Sequence, residues 1–242
     1  MKLLNFLKKL IHKADDILFD KHLTCNLCRR EIFDGQDFCN DCLKTITFND
    51  GIVCDTCGRK VNVSTLRCDS CKGEWAIDKA NSVFIYKDGA EKLIKDLKYG
   101  KHQYLAEIIA PYLKEVYVKH LYAPDFITFV PMTEKAEERR GFNQAYLLAR
   151  ELAKLTDNRL ISPLIKTKDT PQQEALNKKD RQENLLKCFK IIDAKAVKGK
   201  KILLIDDVLT TGATAHACAE KLKAKGAKSV YLLTVASVIK HF

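Results

Sequence analysis

Four C-x-x-C pairs dominate the first third of the chain: Cys25/Cys28, Cys39/Cys42, Cys54/Cys57 and Cys68/Cys71. The second set of four lies 29 residues after the first, position by position, so the unit C-x2-C-x10-C-x2-C occurs twice. Each knuckle offers two thiolates from one tight turn, and two knuckles roughly ten residues apart close around one tetrahedral Zn²⁺. A segment this short buries too little apolar surface to fold unaided, and metal binding supplies the missing free energy. The spacing predicts a double zinc ribbon over residues 24–75. Both sites read as structural, because four thiolates leave no open position for substrate or water. Sequential pairing puts Cys25, Cys28, Cys39 and Cys42 on one ion and Cys54, Cys57, Cys68 and Cys71 on the other; an interleaved pairing satisfies the same spacing. Cys188 and Cys218 fall outside the pattern, in apolar stretches, and read as core.

Ahead of the ribbons, Leu3, Phe6, Leu7, Leu10, Ala14, Ile17 and Leu18 recur at helical spacing, which predicts an amphipathic helix over residues 1–23. Such a stripe lies on a membrane surface or, in the favoured reading, packs on the protein's own core. Lys8 and Lys9 interrupt the opening apolar run and no small-residue cleavage site follows, so no signal peptide is read. No run reaches the ~20 apolar residues of a membrane-spanning helix. The expectation is a cytoplasmic chain in a reducing compartment, where paired cysteines bind metal more often than they form structural disulfides.

The formal charge of +11 is unevenly placed. Residues 1–75 hold 12 Lys+Arg against 11 Asp+Glu, and residues 76–242 hold 30 against 20. Two Zn²⁺ on eight thiolates bring the first part to about −3. The basic character therefore belongs to residues 76–242, and suits a polyanionic partner, nucleic acid or phosphorylated metabolite.

From Lys79 onward apolar periodicities replace the cysteines. Strands are expected at Ser82–Tyr86, Phe126–Val130, Leu160–Lys166, Phe189–Ile192, Lys201–Ile205 and Ser229–Ser237. Helices are expected at Ala90–Lys98, Leu105–Val118, Asn143–Leu155 and Thr214–Lys225. Their alternation implies parallel pairing in an α/β layered domain, residues 76–242. The polar stretch 167–187 reads as a long functional loop.

Lys201–Ile205 delivers two adjacent carboxylates, Asp206 and Asp207, where ligands bind in open α/β sheets. Thr210, Thr211, Gly212, Ala213 and Thr214 then open a helix. Gly212 permits close backbone approach, the unpaired N–H groups of the helix start favour an anion, and the hydroxyls add donors. The acidic pair suits the hydroxyls of a ribose. The run Ile202–Thr214 resembles the 5-phosphoribosyl-1-pyrophosphate (PRPP) motif of type I phosphoribosyltransferases. That resemblance implies their fold, a central, mainly parallel sheet flanked by helices. It also implies Asp206 and Asp207 on the ribose 2′ and 3′ hydroxyls, and Thr210 to Thr214 around the 5′-phosphate.

Leu97-Lys98-Tyr99-Gly100, Val130-Pro131, Arg140-Gly141-Phe142-Asn143-Gln144-Ala145, and Thr170-Pro171-Gln172 with Arg181 and Asn184 follow in that order. Together with the cysteine ribbons they resemble the ComF family of competence-associated proteins. The resemblance implies a phosphoribosyltransferase-like domain behind a zinc module, and a cytoplasmic role in natural transformation. By analogy it places a pyrophosphate loop at Val130, Pro131, Met132 and Thr133, with Arg139 and Arg140 as phosphate contacts, and a flexible loop carrying Arg181 and Asn184.

Two functions follow as expectations. One is binding of incoming single-stranded DNA, with the pocket holding PRPP or a related phosphosugar, and with competence-machinery proteins as further partners. Residues 159–201 hold 12 Lys+Arg against 5 Asp+Glu, and Tyr99, Phe142 and Phe189 are the candidate stacking surfaces. The alternative is an active Mg²⁺-dependent phosphoribosyltransferase with an unidentified acceptor. Thr210 stands where hypoxanthine–guanine enzymes carry an Asp base, and Lys2 follows Met1 where glutamine-dependent amidotransferases open on a Cys nucleophile.

Overall fold

Two stretches of nine residues, Lys201–Leu209 and Ser229–Ser237, form the centre of the sheet, and most of their residues are buried. Continuous apolar strands of this kind are covered on both faces, which requires helices on either side. The computed structural model describes residues 23–239, apart from 34, 64, 66, 70, 72–74, 101 and 170–177. The amphipathic helix expected at residues 1–23 lies outside the described residues, except for Leu23.

The chain divides between Thr45 and Ile46 into two compact units. The first holds the first cysteine ribbon and the short helix α1 (Asn40–Leu43). The second holds the second ribbon and, in chain order, β1 (Lys79–Ile85), α2 (Asp88–Tyr99), α3 (Leu105–Lys119), β2 (Phe126–Phe129), α4 (Glu134–Arg140), α5 (Gln144–Thr156), β3 (Leu164–Lys166), α6 (Lys178–Lys187), β4 (Phe189–Ile191), α7 (Ala194–Val197), β5 (Lys201–Leu209), α8 (Ala213–Ala224) and β6 (Ser229–Ser237).

The main sheet runs β1-β6-β5-β2, every pair parallel. Ile202, Leu204, Val230 and Leu232 join a cluster with Ala215, Cys218 and Leu222 of α8. Side chains alternate along a strand, so Leu203 and Ile205, also buried, turn to the opposite face. Helices α3 and α5 pack on each other and on the strands.

Two local expectations change, and one further helix joins the expected set. The Leu160–Lys166 run is interrupted, because Pro163 has no N–H to donate to a ladder. Leu160 only bridges Ile127, and Leu164–Lys166 forms β3. It pairs antiparallel with β4 as a separate two-stranded sheet, outside the parallel order. The polar stretch 167–187 is not wholly a loop: Lys178–Lys187 is helical, and Leu185 seats it in the core cluster. Finally, Glu134–Arg140 forms a short helix, its N-cap Thr133 accepting from the Ala136 N–H at 3.2 Å.

The Arg140-Gly141-Phe142-Asn143-Gln144 element is a joint between two helices. Gly141 ends α4 at φ 89°, where L side chains are disfavoured. Asn143 starts α5, its Oδ1 accepting from the N–H groups of Ala145 and Tyr146. Its amide nitrogen donates to the Val130 carbonyl at 3.1 Å, which ties the joint to the turn after β2.

Candidate functional site

The joint aims Gln144 at the end of β5. Gln144 Nε2 donates to Asp207 Oδ2 at 2.5 Å, and Lys98 Nζ lies 2.8 Å from Asp207 Oδ1. Arg140 Nη1 donates to Gln144 Oε1 at 2.5 Å, and its guanidinium lies 5.3 Å from the Tyr99 ring centroid. Segments far apart in sequence, 97–100, 140–145 and 206–207, thus meet at one strand end.

The two carboxylates have different surroundings. Asp207 is buried and neutralised by Lys98. The neighbouring Asp206 has no such close ion pair among the described residues. Burial, then the charge of Asp207, pushes its carboxyl up to about 8, against the Asp207 N–H that it accepts at 2.8 Å and the charges of Lys98 and Lys166. A protonated Asp206 can donate to a sugar oxygen; ionised, it accepts from a sugar hydroxyl.

Thr210 and Thr211 are exposed beyond the strand end, and Gly212 caps α8 in the left-handed region at φ 84°. Its own conformation is one reason for glycine. A second is the Trp75 ring, whose Cη2 would collide with a Cβ at this position. Trp75 stacks on His216 at 5.6 Å and 12°. The His216 Nδ1 accepts from the Ala76 N–H at 3.0 Å, which leaves the imidazole proton of the neutral ring on Nε2. The α8 start therefore presents backbone N–H groups with no partner inside the helix, next to three threonines.

In the turn after β2, the Val130 N–H donates to the Ile205 carbonyl at 3.0 Å, and Pro131 and Met132 follow. The Thr133 hydroxyl donates to Asp169 Oδ1 at 2.6 Å. Arg140 meets the turn at Met132 Sδ, 3.7 Å away, whereas Arg139 is exposed on α4. A cleft of about 1000 Å³ opens there, lined by Met132, Thr133, Gly141, Lys166 and Asp169 among others. Asn184 is exposed on α6, and the Arg181 side chain and residues 170–177 lie outside what the structure describes. Of the candidate stacking aromatics, Phe142 and Phe189 are buried, and Tyr99 is 71% exposed.

The cysteines fall into two tetrads in sequential order, Cys25/Cys28/Cys39/Cys42 and Cys54/Cys57/Cys68/Cys71, with Sγ atoms within 4.8 Å of one another in each. Metal–sulfur bonds of about 2.3 Å set a tetrahedron with edges of about 3.8 Å. The Sγ separations of 3.7 Å for Cys28–Cys39, 3.6 Å for Cys54–Cys71, 3.5 Å for Cys57–Cys68 and 3.9 Å for Cys68–Cys71 fit that figure and are far too long for disulfides. Both tetrads fit Zn²⁺. In each ribbon the third cysteine's N–H donates to the first cysteine's Sγ at 3.3 Å, Cys39 to Cys25 and Cys68 to Cys54. Cys188 and Cys218 are buried in the core of the second unit, and burial raises the Cys218 thiol well above its ordinary range.

The sequence reading gave no role to Lys98 or Gln144, and did not single out Arg59 or Trp75. Arg59 Nη2 donates to the Thr210 carbonyl at 2.5 Å from a side chain buried at 2% exposure. The available signal is the cysteine repeat itself, which makes Arg59 the counterpart of Arg30.

Residues 137–240 match the family model of the phosphoribosyl transferase domain, and residues 15–72 that of the double zinc ribbon domain. Competence protein ComFC of Bacillus subtilis (strain 168) is 28% identical over 228 residues, covering 89% of this chain and 91% of the relative. DNA utilization protein YhgH of Escherichia coli (strain K12) is 30% identical over 217 residues, covering 85% and 93%. The chain belongs to the ComF family. Its α/β unit is of the phosphoribosyltransferase type, and two four-cysteine ribbons precede the sheet in the chain. Among solved structures, the glutamine PRPP amidotransferase from B. subtilis complexed with ADP and GMP aligns at a TM-score of 0.43 and 16% identity, over 58% of this chain; the ComF-family chain spans 30% of that protein's length.

Proposed function

We propose that this ComF-family protein acts in the cytoplasm on incoming single-stranded DNA, and that the β5–α8 site holds PRPP or a related phosphosugar. The observation that carries the reading is the linked set Tyr99–Arg140–Gln144–Asp207. It joins an exposed aromatic face, backed by a guanidinium, to the acidic strand end beside the threonine loop. A base stacks on such a face whatever its identity, while arginine contributes charge and a planar surface. The relatives' names, competence protein and DNA utilization protein, agree with a nucleic-acid role. Among the described residues no helix is long and apolar enough to cross a membrane, and competence-machinery proteins remain candidate partners.

In the phosphosugar reading, Thr210 to Thr214 cradle the 5′-phosphate and Asp206 faces the ribose hydroxyls. Asp207 reaches the sugar only by sharing its oxygens with Lys98 and Gln144. Val130 to Thr133, with Arg140, stand at the pyrophosphate end. Mg²⁺, which would arrive on the pyrophosphate oxygens, supplies charge neutralisation.

The cleft beside Lys166 and Asp169 favours a second reading, an active phosphoribosyltransferase whose acceptor occupies it. One experiment separates the possibilities. Mg·PRPP and a short single-stranded oligonucleotide are titrated separately and then in competition. Binding of both, with the oligonucleotide weakening steeply as salt rises, supports the proposal. Salt-independent or absent oligonucleotide binding sinks the DNA role, and absent Mg·PRPP binding sinks the phosphosugar role.

A further inference from the structure

The two ribbons share a backbone but use it differently. In the first, the Cys25 N–H donates to the Arg30 carbonyl at 2.8 Å and the Arg29 N–H to the Cys25 carbonyl at 2.9 Å. In the second, Cys54 and Arg59 form the first bond at 2.9 Å, and Gly58 and Cys54 the second at 2.8 Å. The residue after the second cysteine is left-handed in both, Arg29 at φ 64° and Gly58 at φ 66°. Only the second ribbon has glycine there. A Cβ on Gly58 would collide with the Ala80 carbonyl oxygen, and the Ala80 N–H donates to the Thr56 carbonyl at 2.8 Å. Gly58 therefore lets the second knuckle join β1 directly.

The arginine that follows diverges accordingly. The Arg30 side chain is 66% exposed and pairs weakly with Asp41 at 3.4 Å. Arg59 is 2% exposed and donates through Nη2 to Thr210. Its Nε and Nη1 are buried and find no hydrogen-bond partner among the described residues. A buried guanidinium with so few of its five donors matched is costly, so the position has a strong physical consequence. Its bond to Thr210 holds the first residue of the phosphate loop. Trp75 closes on Gly212 from the same segment that follows the ribbon.

We infer that Arg59 is a positioning residue for the phosphate loop, presented by the second four-cysteine ribbon, so that folding of this ribbon sets the loop's readiness for a phosphoribosyl ligand. The inference rests on the phosphosugar reading for its ligand but not for its geometry. Arg59 acts through the Thr210 carbonyl, which it holds by a hydrogen bond at the start of the loop that leads into α8.

The test uses the full chain with Arg59→Gln and Arg59→Lys, after zinc content confirms two ions per chain in each. Amide hydrogen exchange at residues 209–214 is read without ligand, and Mg·PRPP affinity by calorimetry. Arg59→Gln is expected to exchange these amides about tenfold faster or more and to bind Mg·PRPP about tenfold more weakly, with Arg59→Lys partly restoring both. Loop exchange equal to wild type in Arg59→Gln overturns the inference. If Arg59→Gln does not fold, Arg59→Met, which keeps an unbranched stem but has no donor for the Thr210 carbonyl, carries the decision, and wild-type exchange in it overturns the inference. A wild-type chain that binds no Mg·PRPP overturns the phosphosugar reading instead, and the exchange result still decides the role of Arg59.

Discussion

Lys98 Nζ sits 2.8 Å from Asp207 Oδ1, with the two side chains 19% and 7% exposed. The pair joins the end of α2 to the end of β5, and Gln144 supplies the second hydrogen bond that the carboxylate needs. Removing one member strands the other's charge. Lys98→Met is expected to cost about 3 kcal/mol by urea unfolding, and Asp207→Asn in the same background to recover a good part of it. Additive losses would show that the pair is not coupled.

Asp206 makes stability depend on pH. Its folded carboxyl titrates at about 8, above the roughly 3.9 of an unfolded aspartate. Between those values the folded chain holds a proton that the unfolded chain has released, so this group's contribution falls as pH rises through the window and levels off above it. Asp206→Asn is expected to flatten that slope and to raise the melting temperature at pH 8 more than at pH 5. Equal shifts at both pH values would contradict the burial argument.

Gly212→Ala meets both a left-handed backbone and the Trp75 ring. A loss of about 2 kcal/mol in thermal or urea unfolding is expected. Trp75→Leu in the same chain should recover the steric part and leave the backbone part. If the double variant is no better than the sum of the single ones, the ring is not the obstacle.

Two cysteine tetrads predict two zinc ions per chain by elemental analysis. Cys28→Ser and Cys57→Ser should each lower that content to about one. Cys188→Ser, in the core, should leave it at two. Undiminished zinc in either tetrad variant would remove that site from the assignment.

Tyr99 is the exposed member of the proposed DNA surface. Tyr99→Ala should weaken a short single-stranded oligonucleotide by about 1–3 kcal/mol in fluorescence anisotropy, with Tyr99→Phe close to wild type. The salt slope should stay the same in both variants, because no phosphate contact is removed. Unchanged affinity in Tyr99→Ala places the DNA elsewhere.

Features carried by neighbouring residues were legible in the sequence. The cysteine spacing announced two tetrads, and Ile202–Thr214 announced a strand, an acidic end and a loop entering a helix. The helical joint at Arg140–Gln144 was visible as a motif without its reason, which is the left-handed Gly141 followed by the Asn143 cap. Less legible were β3 and α6. Pro163 cuts an apolar run that otherwise reads as strand, and α6 is polar enough to read as a loop until Leu185 finds the core.

The sequence by itself determined the metal ligands' chemistry, the parallel α/β class and the order of carboxylates and threonines, because each depends on spacing along the chain. Only the tertiary structure decided which charge meets which. Asp206 and Asp207 are adjacent, yet Lys98 and Gln144 reach one of them and burial raises the other. Arg30 and Arg59 occupy equivalent places in a repeat, yet one stays in water and the other holds Thr210. The physical reason is the same in both cases. Burial and partners come from elements distant in sequence, and a repeat carries no record of the surface against which each copy packs.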